Sequence, residues 1–375
     1  MSNLTANKSA KLEASWLVWY DSLNNKYFAK NGLSGFVEYD SSSGVSGIIN
    51  SIITAKMSSR GGKIYLRPAT LHLEAPILID KPDVIIEGSG WDDTQLYSND
   101  YGDSMIKITA DRCQLRHLSL NGVKSIQTSG SFSDVSGSVY ITSNNVYLDD
   151  IYIYNCTGSY TVYISGSADL EIRNCTIGHF GGTAPNFGHG LYIESGSSNC
   201  RVTNSSFIYN SGSNFDDAGA IVVNGLDHSI TNCHFYANNY HVIVAPKGVT
   251  RKLLIANNEF RYSMKEAIIK TSSQIFSDSV ISSNCFYFSG RKTADSYDSI
   301  YLTGAATKSM AITGNVFDGR SDTSLTHTTR YAIQDCNTLS GSVFSSNAIH
   351  GMVQATGYSI TLDGNQTGSN AILGD

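Results

Sequence analysis

Four side chains in the middle of the chain have types that can move protons: Asp216, Asp217, His241 and Glu266. Two carboxyl groups flanking one bond, one protonated and one ionised, are what glycosidic hydrolysis requires. Asp216 or Asp217 with Glu266 or Asp298 would supply that pair. Elimination at a uronic acid needs instead a base beside a cation that neutralises the carboxylate. Lys265, His241 and Arg291 have those types, so residue identity leaves both chemistries open. His189, Tyr192, Glu194, Tyr240 and Lys270 add polar and aromatic groups suited to holding a substrate. Each also has a plain reading: Asp-Asp is a common turn signal, and Glu266 with Lys265 or Lys270 reads equally as a solvated charge cluster.

What would bring these residues together is a repeat. An aliphatic residue, small polar residues often including Asn, and a second apolar residue five positions on recur from Leu115 to the C-terminus. The motif reads I-R-N-C-T-I at 172–177, V-T-N-S-S-F at 202–207, I-T-N-C-H-F at 230–235, I-A-N-N-E-F at 255–260 and I-T-G-N-V-F at 312–317. Before most copies stands an alternating tripeptide such as V-Y-I at 139 and 162, L-Y-I at 191 or I-Y-L at 300. Alternation in Val, Ile and Tyr is strand chemistry. One coil cannot bury its inward row alone, whereas stacked coils bury a continuous one. The expected fold is all-β, a single-stranded parallel β-helix, right-handed because parallel crossovers favour that hand.

The first 42 residues differ. W-L-V-W-Y at 16–20, K-Y-F-A at 26–29 and F-V-E-Y at 36–39 read as a small β meander. Val45, Ile48, Ile49, Ile52, Ile53 and Met57 form an amphipathic helical stripe over 43–58, with Ser43 as N-cap. An open solenoid end needs a cover, and this helix is the expected cap of a β-helix spanning 43–375.

The chain carries a net charge of −6 with no basic run, which argues against nucleic acid as a partner. No apolar stretch is long enough to span a bilayer, and the first residues lack a signal-peptide core. Seven cysteines without C-x-x-C spacing argue for structural thiols rather than disulfides or a metal site. Cys156, Cys175, Cys233 and Cys285 each follow an Asn, which predicts a stacked row beside an Asn ladder.

G-G-K-I-Y-L-R-P-A-T-L-H-L-E-A-P-I-L-I at 61–79, followed by D-V-I-I-E-G-S-G-W-D-D-T-Q-L at 83–96, resembles the start of β-helices of the pectin-lyase-like superfamily. The branch is the one shared by polysaccharide lyases, glycoside hydrolases and viral tailspikes. Thr70 stands where a Gly usually follows Pro-Ala, which touches only a turn. The resemblance spans roughly 45–365 and speaks to fold more than activity. It implies a polysaccharide partner, hydrolysis or β-elimination, and an extracellular or virion-associated location. A non-catalytic glycan-binding adhesin or fibre protein is the other reading. Tailspike likeness also implies a homotrimer whose N-terminal module docks to a larger particle. Calcium is used by many relatives, but no acidic loop here has recognised ligand spacing. G-H-G at 188–190 and Asp216–Asp217 are similar to polygalacturonase motifs, yet in reversed order, so that mechanism is not carried over.

Loop lengths predict where a site lies. The connections from Phe235 to Val242 and from Phe260 to Ala267 are short, and their neighbours are about twice as long. Unequal loops on one edge of stacked coils build walls around a floor. The floor is expected at 236–245 and 261–270, between walls at 208–220 and 287–299. Strict alternation from inward Val242 and Val244 turns His241 outward, beside Glu266 of the next coil.

Overall fold

Each repeat folds into three short strands, because its apolar positions fall on straight segments separated by residues that tolerate left-handed backbone. The computed structural model describes residues 15–57, 61–98, 104–122, 138–156, 160–180, 189–210, 218–291, 293, 296–303, 307–319, 329–335, 339–353, 358–359, 366–367 and 370–373. The alternating tripeptides stack into one parallel sheet of eleven strands, from Ile77–Ile79 through His189–Ile193 and Tyr240–Val244 to Tyr358–Ser359. The two apolar ends of the repeat motif supply the other two faces. Ile172, Val202, Ile230, Ile255, Ile281 and Ile312 pair in unbroken register down one of them. The result is a right-handed parallel β-helix.

The corner between the second and third faces is set by backbone chemistry. Asn174, Asn204, Asn232 and Asn257 occupy it with φ of 55°, 50°, 55° and 57°. Asn adopts this region at lower cost than most residues. The residue that follows each one points inward. Cys175 and Cys233 lie there, and the row continues as an Asn ladder. Asn258 donates to Asn284, Asn284 to Asn315 and Asn315 to Asn347, each at 3.0 Å. Phe207, Phe235, Phe260, Phe286 and Phe317 stack beside it with ring centroids 4.7–5.2 Å apart.

The expected cysteine row therefore holds for two of its four members. Cys285 follows the inward Asn284 instead of a corner Asn, so it lies in the strand Cys285–Tyr287 opposite Glu259. Cys156 lies at another corner, just past the strand Tyr147–Tyr154. The same Asn-Cys spelling occurs at different phases of the coil. The six described cysteines are free. Burial pushes the thiols of Cys156, Cys175, Cys200 and Cys233 up to about 12, which makes them inert.

At the N-terminus, strands Ser15–Asp21, Lys26–Asn31 and Val37–Ser41 form the antiparallel meander. The first of them also pairs in parallel with Gly62–Leu66, so Trp16 and Val18 join the main core. Helix α1 (Ser46–Lys56) buries Ile48, Ile49, Ile52 and Ile53. Ser43 is not its N-cap. Val45 holds that position, and the carboxylate of Glu74 accepts from the N–H groups of Ser46 (3.0 Å) and Gly47 (2.7 Å). The cap comes from the bend just past the strand Ala69–Leu73, and sequence spacing within the helix gives no sign of it.

Candidate active site

The leading edge of the eleven-stranded sheet carries one vertical row of side chains. Tyr160 pairs with His189, and Gly219 pairs with Tyr240. Glu266, Asp298 and Tyr331 each stand two residues before Ile268, Ile300 and Ile333, which pair in turn down the same sheet below Val242. Neighbours in such a row have backbones about 4.8 Å apart. Residues 21 to 33 positions apart in sequence thus stand on successive rungs.

Just inside this row the strand parity breaks. The N–H groups of His241 (3.1 Å) and Val242 (2.8 Å) both donate to the carbonyl of Ala267. Those of Ala267 (3.1 Å) and Ile268 (2.9 Å) both donate to Ser299. Two consecutive residues facing one on the partner is a β-bulge. It sends His241 and Val242 to the same side, the interior. The expected outward placement of His241 is therefore overturned. His241 is 0% exposed, with its ring centroid 5.7 Å from those of Phe235 and Phe260. Its Nδ1 lies 2.9 Å from Asn238, and its Nε2 has no hydrogen-bond partner. Burial holds its pKa at about 3, so it is neutral.

Glu266 is only 6% exposed, and burial, with help from the charge of Asp298, raises its pKa to about 7. Asp298 is fully buried and bonded to Arg330 through Nε–Oδ1 at 3.0 Å and a terminal nitrogen to Oδ2 at 2.7 Å. The Tyr331 N–H donates to Oδ1 at 3.0 Å. Burial nevertheless leaves the Asp298 pKa above its ordinary value. Arg330 also reaches Gln334. Next to Glu266 in the chain, Lys265 reaches back to the preceding rung, where it donates to the Tyr240 hydroxyl at 3.1 Å and sits 5.0 Å from that ring's centroid. Arg330 was not among the residues expected from sequence. Its position just ahead of the A-I-Q strand start is the signal that would have found it, because that position corresponds to Lys265 two coils earlier.

The remaining expected residues divide. His189 belongs to the row but is held as structure. Its Nδ1 accepts from the Gly219 N–H at 3.1 Å, its ring stacks on Tyr160, and burial lowers its pKa to about 4. Tyr192 lies parallel to Tyr163 at 5.3 Å, and burial pushes its hydroxyl up to about 12. Glu194 accepts from Ser165. Lys270 is not beside Glu266. It is fully buried at the far end of its strand, donates to the Thr303 carbonyl at 3.2 Å, and has a pKa lowered by burial to about 8. Arg291 lies over the ring of Tyr262 at 5.1 Å. Asp216 and Asp217 lie outside the described residues, as do other parts of both expected walls. No group of three or more His, Cys, Asp or Glu converges as a metal site among the described residues.

No protein-family model matches the sequence, and no curated protein sequence matches it either. Solved structures do match in fold. The A-module of the mannuronan C-5 epimerase AlgE6 from Azotobacter vinelandii is 14% identical, with a TM-score of 0.58 over 87% of this chain and 94% of that one. The surface adhesin PfbA of Streptococcus pneumoniae is 16% identical, with a TM-score of 0.65 over 87% of this chain and 89% of that one. The Dettilon tailspike protein is 12% identical, with a TM-score of 0.52 over 86% of this chain and 64% of that one. The chain shares the parallel β-helix fold of these structures, as its opening coils suggested. Among the described residues no helix is long and apolar enough to cross a membrane.

Proposed function

We propose that this chain binds a polysaccharide along the row from Tyr240 to Arg330 and cleaves it there by hydrolysis, with Glu266 as proton donor. The observation that carries the reading is Glu266 itself. A carboxyl group with a pKa of about 7 still holds a proton near neutrality and can give it to a leaving-group oxygen. Asp298 is a positioning residue: its charge supports the protonated form of Glu266, and Arg330 fixes its orientation. The second carboxylate of a hydrolytic pair is assigned on sequence alone to Asp216 or Asp217. The Tyr240–Lys265 hydrogen bond favours a second reading, elimination, with Tyr240 as base and Lys265 as its cation. A non-catalytic adhesin is the third reading, in keeping with the fold match to a surface adhesin.

An extracellular or virion-associated setting, with the N-terminal module docking to a larger particle, belongs to this proposal, as does assembly into a trimer. The test is incubation with a panel of bacterial surface polysaccharides followed by sizing and end-group analysis. Shorter products with saturated ends, abolished in E266Q, support hydrolysis. Products with an unsaturated, ultraviolet-absorbing uronate that survive E266Q but not Y240F support elimination. Binding without any product supports the adhesin.

A further inference from the structure

A second concave site lies at a different corner of the coil from Glu266. Trp91, Asp150, Ile151, Tyr152, Asn174 and Thr176 enclose a cavity of about 270 Å³. It opens where the second and third faces meet, whereas the row of Glu266 stands at the entry to the eleven-stranded sheet. The Trp91 indole is 44% exposed and meets the Tyr152 ring edge-on, at 5.5 Å and 82°. Tyr152 is backed in turn by Tyr154, stacked at 4.6 Å.

The site is rigid. The turn that carries Trp91 is tied down by the Gly90 N–H to His117 carbonyl bond (2.9 Å) and the Thr94 N–H to Gly90 carbonyl bond (2.9 Å). Gly88 opens that turn where a Cβ would come within 2.3 Å of the His117 carbonyl oxygen, so close packing needs a glycine there. The polar groups at the rim are oriented too. Asp150 is held at 2.9 Å by the His117 Nδ1, and Asn174 donates to Asp149 at 2.9 Å.

We infer that this corner is a second carbohydrate-binding site, separate from the cleavage row, that takes one neutral sugar unit of a longer glycan. Two aromatic planes at right angles offer one face for the C–H surface of a sugar ring and one wall for its edge, as amphipathic rings do in binding sites. Asp150, Asn174 and Thr176 supply acceptors and donors for hydroxyl groups. The carboxylate at the rim selects against uronic acids, which would bring a like charge. A cavity just below the usual volume of a small-molecule site suits a single ring. The inference does not rest on chemistry at Glu266.

The test is isothermal titration of the full chain carrying E266Q, which removes the hydrolysis proposed at Glu266. The probes are maltohexaose, cellohexaose and xylohexaose, with hexagalacturonate as the anionic control. Saturable binding of at least one neutral oligosaccharide is expected, with weaker binding of the anion. Adding W91A should lower that affinity at least tenfold or remove one site from the stoichiometry, and W91Y should restore part of it. Unchanged binding in E266Q/W91A overturns the inference, and so does the absence of binding by all three neutral probes. Loss of cleavage in E266Q with binding at Trp91 intact would leave both proposals standing. Cleavage that survives E266Q would remove only the reading at Glu266.

Discussion

Arg330 grips Asp298 through two parallel hydrogen bonds of 3.0 and 2.7 Å, on the rungs that follow Glu266. Fork-to-carboxylate pairing of this kind fixes direction as well as charge. It holds a fully buried carboxylate in place against the cost of desolvation. The charge on Asp298 is one of the influences that keep Glu266 protonated, while those on Lys265 and Arg330 oppose it.

Removing that charge should therefore be read at Glu266. D298N is expected to lower the pKa of Glu266, moving the alkaline limb of the pH–rate profile acidward by on the order of one pH unit. A merely structural Asp298 would reduce activity at every pH and leave the limb where it was. Measuring kcat/KM against pH for wild type and D298N separates the two.

Breaking the pair from the other side should cost stability. R330A leaves a buried carboxylate with its guanidinium gone, and a loss of about 3 kcal/mol is expected in denaturant unfolding. The double variant D298N/R330M should recover most of it, because two neutral partners need no compensation. A double variant no more stable than R330A would mean that packing, and not charge, explains the loss.

Glu266 itself makes stability depend on pH in a set direction. Its pKa is about 7 in the folded chain and 4.5 as an ordinary glutamate. Between those values the folded state holds a proton that the unfolded chain has released. Its contribution is complete below pH 4.5 and is lost as pH rises through 7. E266Q should remove this slope and be more stable than wild type at pH 8, by at most about 3 kcal/mol. Its cleavage rate should fall by roughly 10²–10⁴-fold, the usual worth of a general acid. Wild type and E266Q with parallel stability curves across pH 4–8 would exclude a raised pKa.

The coils were legible in the sequence because each carries the same phase information. Aliphatic pairs such as Ile172 and Ile177 mark two faces, Val162 and Ile164 mark the third, and corner asparagines mark the turns. The loop-length argument named Tyr240, Glu266 and Asp298, and the part they play is the proposal above. It failed for Lys270, which shares the inward parity of Ile268, and for His241, which a bulge turns inward. A bulge depends on where two N–H groups find a carbonyl on the next coil, and strict alternation carries no trace of it. Arg330 was missed because its partner Asp298 lies 32 positions away and nothing local pairs them. The Glu74 cap of α1 was missed for the same reason, being 28 residues from Ser46.

The Asn ladder offers a test of what holds neighbouring coils in register. Asn284 accepts from the Asn258 backbone N–H at 2.9 Å and donates to the Ile255 carbonyl at 3.0 Å. N284A should orphan that buried N–H and destabilise the chain by about 2 kcal/mol in chemical denaturation. N284S should cost less. At the equivalent place three coils earlier Ser205 Oγ already accepts the Cys175 N–H at 3.1 Å. Equal losses for both variants would show that the side-chain amide contributes through packing alone.

His241 supplies the sharpest separation between a buried and a catalytic role. Neutral in the folded chain with a pKa near 3, it meets protons only after unfolding, when its value returns to about 6.5. The stability this contributes is present above pH 6.5 and is lost as pH falls toward 3. H241F keeps an aromatic ring between Phe235 and Phe260 and removes the unpartnered Nε2. It should gain about 2 kcal/mol on wild type at pH 5 relative to the difference at pH 8. Cleavage activity at neutral pH should stay within a few-fold, since no part of His241 reaches the surface. A variant that unfolds normally and has lost its activity would put the imidazole back into the chemistry and contradict the interior placement of this ring.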